Sequence, residues 1–245
     1  MNKSIGVIGG GLGGLTAALR LAKNGFKVSL FEKNQSLGGK MNQVIHGGYR
    51  FDTGPSLLTM PFVIDELYYY LGLDRKQYLD FEPIDPICQY FWDDGTKLSA
   101  YTEMEKMREA MTNISIEDAK NLKDFLLYSR RIWELTADTF LYTAVHETGK
   151  ILNKKTLKKL LKIKEIDPFR TVHQGIGQYF KHPKIVQIFD RYATYNGSDP
   201  FKAPATLNII PYVEYVLGSF YIKGGMYQLI AVSYTHLTLP TNREV

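Results

Sequence analysis

The chain has 245 residues, 44% apolar and 13% aromatic, enough to bury one large core or two small ones, which excludes a disordered chain. A single cysteine rules out an internal disulfide, and no apolar run nears the roughly 18 residues of a membrane-spanning helix. The net charge of +5 is local, because residues 150–170 hold eight cations against Glu165 and Asp167 while the remainder is close to neutral. In chain order, Ser4 to Ile8 reads as a short buried strand, and Gly9-Gly10-Gly11-Leu12-Gly13-Gly14 then opens a helix over Leu15 to Lys23. A second strand, Lys27 to Phe31, ends in Glu32-Lys33. Gly9, Gly11 and Gly14 have the spacing of the dinucleotide-binding fingerprint: a tight turn, close backbone approach to a pyrophosphate, and close packing of helix on strand. The helix N-terminus points unpaired N–H groups at the phosphates, and Glu32 is placed to accept from a ribose hydroxyl.

The fingerprint alone does not separate NAD from FAD. Gly38-Gly39-Lys40 adds information, since two residues without Cβ let backbone approach a cofactor and Lys40 can neutralise phosphate. A nicotinamide unit has no need of this second pair, so FAD is the expected cofactor. Further along, Tyr49 to Asp52 reads as a strand entering the Gly54-Pro55 turn, and Pro61 to Leu71 as a helix closed by Gly72. Phe81 to Tyr101 alternates apolar and polar residues around Asp93-Asp94-Gly95, the pattern of a hairpin or two short strands. From Thr102 to Leu161 the pattern is helical, with Leu122, Phe125, Leu126, Ser129, Ile132 and Trp133 on one face. Further helices are expected near Thr171, over Lys184 to Asp190 after Pro183, and from Pro204 to about Tyr215.

Glu32-Lys33, Gly38-Gly39-Lys40-Met41 and Phe51-Asp52-Thr53-Gly54-Pro55-Ser56 together resemble the amine-oxidase-like flavoproteins, and within them the phytoene desaturase family of carotenoid desaturases. The similarity continues in Phe189 to Gly197, in Pro204 to Pro211 and in Tyr221-Ile222-Lys223-Gly224-Gly225-Met226-Tyr227. The resemblance implies an α/β fold: a Rossmann-like FAD-binding domain with an inserted α+β substrate domain. It implies an FAD-binding first part over 1–80, a substrate or membrane-facing domain over 81–220 and a return to the FAD domain over 221–232. It also implies hydride transfer from a phytoene- or hydroxycarotenoid-type polyene to flavin, with Gly54, Pro55 and Ser56 running beside the flavin. Desaturases of this family are roughly twice as long, so the C-terminal half is expected to be missing and the chain to be inactive alone. Residues 233–245 resemble a string appended to unrelated translated sequences. Thr235 to Asn242 shows no helical period and contains Pro240, so this tail is expected to be non-native.

Other constellations carry less. The five histidines show no metal-ligand spacing, no serine lies in a nucleophile elbow, and no catalytic base is identified. Cys88 reads as a small core residue, and Tyr68-Tyr69-Tyr70 reads as core before tunnel lining. Lys154 to Lys164 places Leu157, Leu160 and Leu161 on one face and lysines elsewhere. Read from the residues alone, this is a solvated helix face. The resemblance instead implies contact with an anionic membrane, because a carotenoid dissolves in the bilayer. The protein is then expected in the cytoplasm, peripheral at the inner face of the membrane, with no nucleic-acid partner. Another amine-oxidase-like flavoenzyme, a nicotinamide-dependent dehydrogenase and a non-catalytic fragment remain open alternatives.

Overall fold

The computed structural model describes residues 3–143 and 163–238. The chain forms two units, one from Met1–Ile84 and Ser219–Val245, the other from Asp85–Gly218. These divisions fall a few residues inside the 81 and 220 expected from the sequence, because strands on either side of them pair with each other.

The first unit opens with β1 (Ser4–Ile8), α1 (Leu12–Lys23) and β2 (Lys27–Phe31), the two strands pairing in parallel from Ser4↔Lys27 to Ile8↔Phe31. The helix begins at Leu12, three residues before the expected Leu15, so that Gly13 and Gly14 lie in its first turn. Gly14 tolerates this because a Cβ there would lie 1.9 Å from the Gly9 carbonyl oxygen. The chain then forms an unforeseen hairpin, β3 (Gln43–His46) with β4 (Tyr49–Asp52), turning at Gly47-Gly48. A short β5 (Leu58–Thr59) follows, then α2 (Pro61–Leu71) with Pro at its first position and Gly72 left-handed at its end, as expected.

Next comes β6 (Phe81–Pro83), which does not join the hairpin predicted for its region. It pairs instead with β9 (Ser219–Ile222), and β9 also pairs with β5, giving a three-stranded antiparallel sheet ordered β5-β9-β6. The pairing is long-range, so no local periodicity announces it. The final helix of the unit, α7 (Gln228–Thr238), packs against α1. It overturns the expectation that helical character stops by Thr235. Leu229, Ile230 and Ser233 are buried and His236 packs edge-on to Tyr78 at 4.4 Å, so the helix gains a packed face that composition does not reveal. The core gathers Leu15, Met41, Leu58, Ile64, Tyr68, Ile222, Met226 and Leu229.

The second unit begins with the hairpin β7 (Cys88–Phe91) and β8 (Lys97–Ala100), turning at the predicted Asp93-Asp94-Gly95. Two helices follow, α3 (Met104–Thr112) and the 27-residue α4 (Ile116–Tyr142), which buries Leu122, Phe125, Leu126, Ser129 and Ile132. The lysine-rich stretch from Lys154 falls outside the described residues apart from Ile163–Ile166, a 3-10 turn. Helix α5 (Val172–Ile176) starts at Thr171, whose hydroxyl accepts from Gln174 N–H while the Gln174 side chain accepts from Thr171 N–H. Helix α6 (Pro183–Asp190) follows, with Phe189 stacked on Phe180 at 4.6 Å and Phe125 edge-on at 4.7 Å. The helix expected from Pro204 is continuous but not uniform: a 3-10 segment, Ala205–Ile209, passes through right-handed helical Ile210 and Pro211 into a π-helical one, Tyr212–Val216.

Candidate functional site

The glycine loop after β1 is fastened to the segment after β2 by backbone bonds. Gly9 N–H donates to the Phe31 carbonyl at 2.7 Å, Gly38 N–H donates to the Gly10 carbonyl at 2.8 Å, and Gly11 and Gly38 form a parallel bridge. Gly38 has φ +110°, and a Cβ there would sit 2.3 Å from the Met41 carbonyl oxygen, so no other residue fits without displacing backbone. A further tether comes from the end of β4. The Asp52 carboxylate accepts from the Tyr221 hydroxyl at 2.8 Å and Met226 N–H at 3.2 Å, which fixes the chain entering Thr53-Gly54-Pro55. Thr53 N–H in turn donates to the Asn42 carbonyl at 2.9 Å.

These tethers enclose a cleft of about 870 Å³ within the first unit, lined by Gly11, Leu12, Gly38, Gly39, Lys40, Met41, Asn42, Thr53, Gly54 and Pro55. Helix α1 delivers its N-terminus here. Its Gly11 cap has no side-chain hydrogen bond and its first turn no acidic residue, so its leading N–H groups and positive pole are left for another acceptor. Among the described residues of the lining, Lys40 is the one titratable side chain.

Of the residues singled out from sequence, Gly11, Gly38, Gly39, Lys40, Gly54 and Pro55 line the cleft. Gly9, Gly10, Gly13, Gly14, Glu32, Lys33 and Ser56 do not. Gly9 and Gly14 shape the turn beneath it. Gly10 donates its N–H to Glu32 Oε2 at 2.7 Å, while Glu32 Oε1 accepts from Asn34 N–H at 2.9 Å and Asn34 Nδ2 at 2.8 Å. The Asn34 and Gly10 backbone bonds, in that order, hold the Glu32 carboxyl below its ordinary value. Glu32 therefore clamps the glycine loop, and Oε2 keeps a lone pair for a further donor. Lys33 and Ser56 are exposed. Sequence reasoning missed Leu12 and Asn42 and read Met41 and Thr53 as resemblance only. Leu12, Met41 and Thr53 each adjoin a glycine or lysine already noted, and that adjacency was the available signal; Asn42 lies two residues beyond Lys40.

Residues 7–68 match the NAD(P)-binding Rossmann-like domain family. Over 234 residues the chain is 42% identical to the 1-hydroxycarotenoid 3,4-desaturase of a Flavobacterium species, an alignment that covers 94% of this chain and 46% of that protein. The chain is a homologue of carotenoid desaturases and oxygenases. A second relative, the 4,4'-diaponeurosporene oxygenase of Staphylococcus haemolyticus, is 34% identical over 227 residues, covering 93% of this chain and 45% of the relative. This carotenoid desaturase homologue thus spans about half the length of the curated relatives it matches. Among solved structures it resembles cyclohexylamine oxidase from Brevibacterium oxydans, with a TM-score of 0.58 and 15% identity over 97% of this chain and 49% of the oxidase. At that identity the likeness establishes the fold: a Rossmann-like α/β architecture with an inserted unit. Among the described residues of the homologue, no group of three His, Cys, Asp or Glu side chains is arranged to hold a metal, and no helix is long and apolar enough to cross a membrane.

Proposed function

We propose that the cleft of the first unit binds FAD and serves an oxidoreductase of carotenoid biosynthesis. That enzyme introduces double bonds into a phytoene- or hydroxycarotenoid-type polyene by hydride transfer to flavin. The observation that carries this reading is the convergence of the uncapped α1 N-terminus, the Gly38-Gly39 backbone and Lys40 on one cleft. A pyrophosphate fits that donor set, because N–H groups and one mobile ammonium oppose its charge without a neighbouring carboxylate in the lining. Gly11, Gly38 and Gly39 would approach the phosphates, Lys40 would neutralise them, and Glu32 Oε2 would accept from the adenosine ribose. Gly54 and Pro55 would form the wall beside the ring system. Flavin, when bound, supplies the hydride acceptor. The backbone donors and Lys40 of the lining would contribute binding and orientation, and no carboxylate or imidazole lies among its described residues.

The test is the absorption spectrum of the purified chain before and after reconstitution with FAD. A saturable flavin band with near-equimolar FAD is expected. The Rossmann-like match carries a second reading, nicotinamide binding, and protection by NAD(P)H without flavin uptake would favour it over FAD.

The lysine stretch is read as a membrane contact. Lys154 to Lys164 combines six cations with Leu157, Leu160 and Leu161, and a polyene substrate resides in the bilayer; both support a protein peripheral at the inner, cytoplasmic membrane face. Replacing those lysines by glutamine is expected to release the protein from anionic liposomes. Unchanged co-sedimentation would refute the contact.

A further inference from the structure

The second unit holds a buried carboxylate within a largely apolar helical core. Glu214, 1% exposed, lies in the π-helical segment Tyr212–Val216. Arg191 Nη2 reaches its Oε2 at 3.2 Å, and the Tyr195 hydroxyl donates to its Oε1 at 2.6 Å. Segments of π-helix are rare and concentrate at functional sites. Arg191 is itself fixed, with Nε donating to the Tyr90 hydroxyl at 2.9 Å and the guanidinium carbon 4.4 Å from the centroid of the Tyr192 ring. Beside it, among the described residues, the buried hydroxyls of Tyr192 and Tyr215 have no hydrogen-bond partner except each other. One side of the cluster is open: the Arg191 side chain is 33% exposed and Tyr195 is 45% exposed.

The chemistry left over is specific. Among the described residues Arg191 Nη1 makes no hydrogen bond, so a donor pair is left over on a stacked guanidinium whose side chain is one-third exposed. Glu214 cancels the charge of that guanidinium, so an anionic ligand gains little. Tyr195 has committed its proton to Glu214, which leaves its oxygen as an acceptor. A donor fork and an acceptor, side by side among aromatic rings, match a hydroxyl on an otherwise apolar molecule, whereas a carbonyl satisfies only the donor.

We propose that Arg191 and Tyr195, held by Glu214, form a specificity site for a hydroxyl group at the end of a polyene. This rests on the carotenoid reading given above and adds to it the residues that would select the end group. The test uses the full chain in detergent and two probes: an acyclic carotenoid with a terminal hydroxyl and the same hydrocarbon without it. Quenching of Trp92, stacked on Tyr90 at 6.1 Å, and Trp133, 5.9 Å from Tyr212, reports binding.

The wild-type chain is expected to bind the hydroxylated polyene about tenfold more tightly, the scale of one hydrogen bond to a charged group. Tyr195→Phe, and Arg191→Met made together with Glu214→Gln so that no charge is left buried alone, should each bring the ratio close to one while hydrocarbon binding stays unchanged. Equal binding of both probes to wild type would overturn the specificity site and leave the polyene reading intact. A parallel loss of both affinities in the variants would make the cluster merely structural and also overturn it. Failure of both probes to bind wild type would overturn the polyene reading itself.

Discussion

Gly13 and Gly14 stand side by side in the first turn of α1 and are predicted to behave oppositely. A Cβ on Gly14 would meet the Gly9 carbonyl oxygen at 1.9 Å, whereas one on Gly13 meets nothing within 4 Å. Gly14→Ala is therefore expected to destabilise the first unit by about 1–3 kcal/mol and to abolish the flavin band. Gly13→Ala should leave the unit as stable or up to about 1 kcal/mol more stable, by helix propensity. Urea denaturation monitored by circular dichroism distinguishes them. Glu32 supplies a pH signature. Its carboxyl is held below 4.5 in the fold, so the clamp on the glycine loop is fully present above that pH and is lost as pH falls through the depressed value. The stability difference between wild type and Glu32→Gln should accordingly be largest near neutrality and vanish in strong acid, as read from denaturation midpoints across pH. The fingerprint glycines and Glu32 were legible because each occupies a fixed offset from a strand end. That Glu32 binds Gly10 and Asn34 was not legible, since a carboxylate next to a strand serves a ligand or a loop equally well until the loop has a shape.

The elements divide by the range of their interactions. Helix α2 was readable to the residue, because Pro61 and Gly72 mark its ends within its own sequence. Helix α5 was readable from Thr171 for the same reason. Thr171→Ala removes the acceptor of the Gln174 N–H and is expected to cost about 1 kcal/mol, detected as a shift in the unfolding of the second unit with flavin binding unaffected. Strands β5, β6 and β9 were misread or missed because their partners lie more than a hundred residues away along the chain between β6 and β9, and β5 spans only Leu58–Thr59. The helix read through Pro204 to Tyr215 is present, but it opens as a 3-10 segment and after Pro211 widens to a π-helix that buries Glu214. Helical periodicity carries no mark that distinguishes that geometry from an ordinary turn.

At the scale of the whole molecule, the first unit exposes much of its sheet. Ile8 is 90% exposed and Phe31 60%, at the paired ends of β1 and β2, while Val44, Ile45, Tyr49 and Phe51 are exposed on the β3–β4 hairpin. The β1–β2 pair is parallel, and such strands are ordinarily covered on both faces; the separate antiparallel hairpin adds further exposed apolar side chains, so these surfaces are predicted to drive self-association. Sedimentation should show concentration-dependent oligomers of the purified chain, reduced by Ile8→Lys together with Phe51→Lys. Thermal stability should change little, since both side chains already face solvent. The sequence by itself determined the Rossmann-like start, the long helix of the second unit with its buried face and kinship to the carotenoid enzymes, because these depend on local spacing and on residue types that admit few substitutes. Only the tertiary structure decided that β6 pairs with β9, that α7 runs on to Thr238 against α1, that Glu32 clamps its own loop, and that Arg191 and Glu214 meet beside Tyr90. Those outcomes depend on contacts between residues distant in sequence, where burial and a satisfied hydrogen bond outweigh local preference.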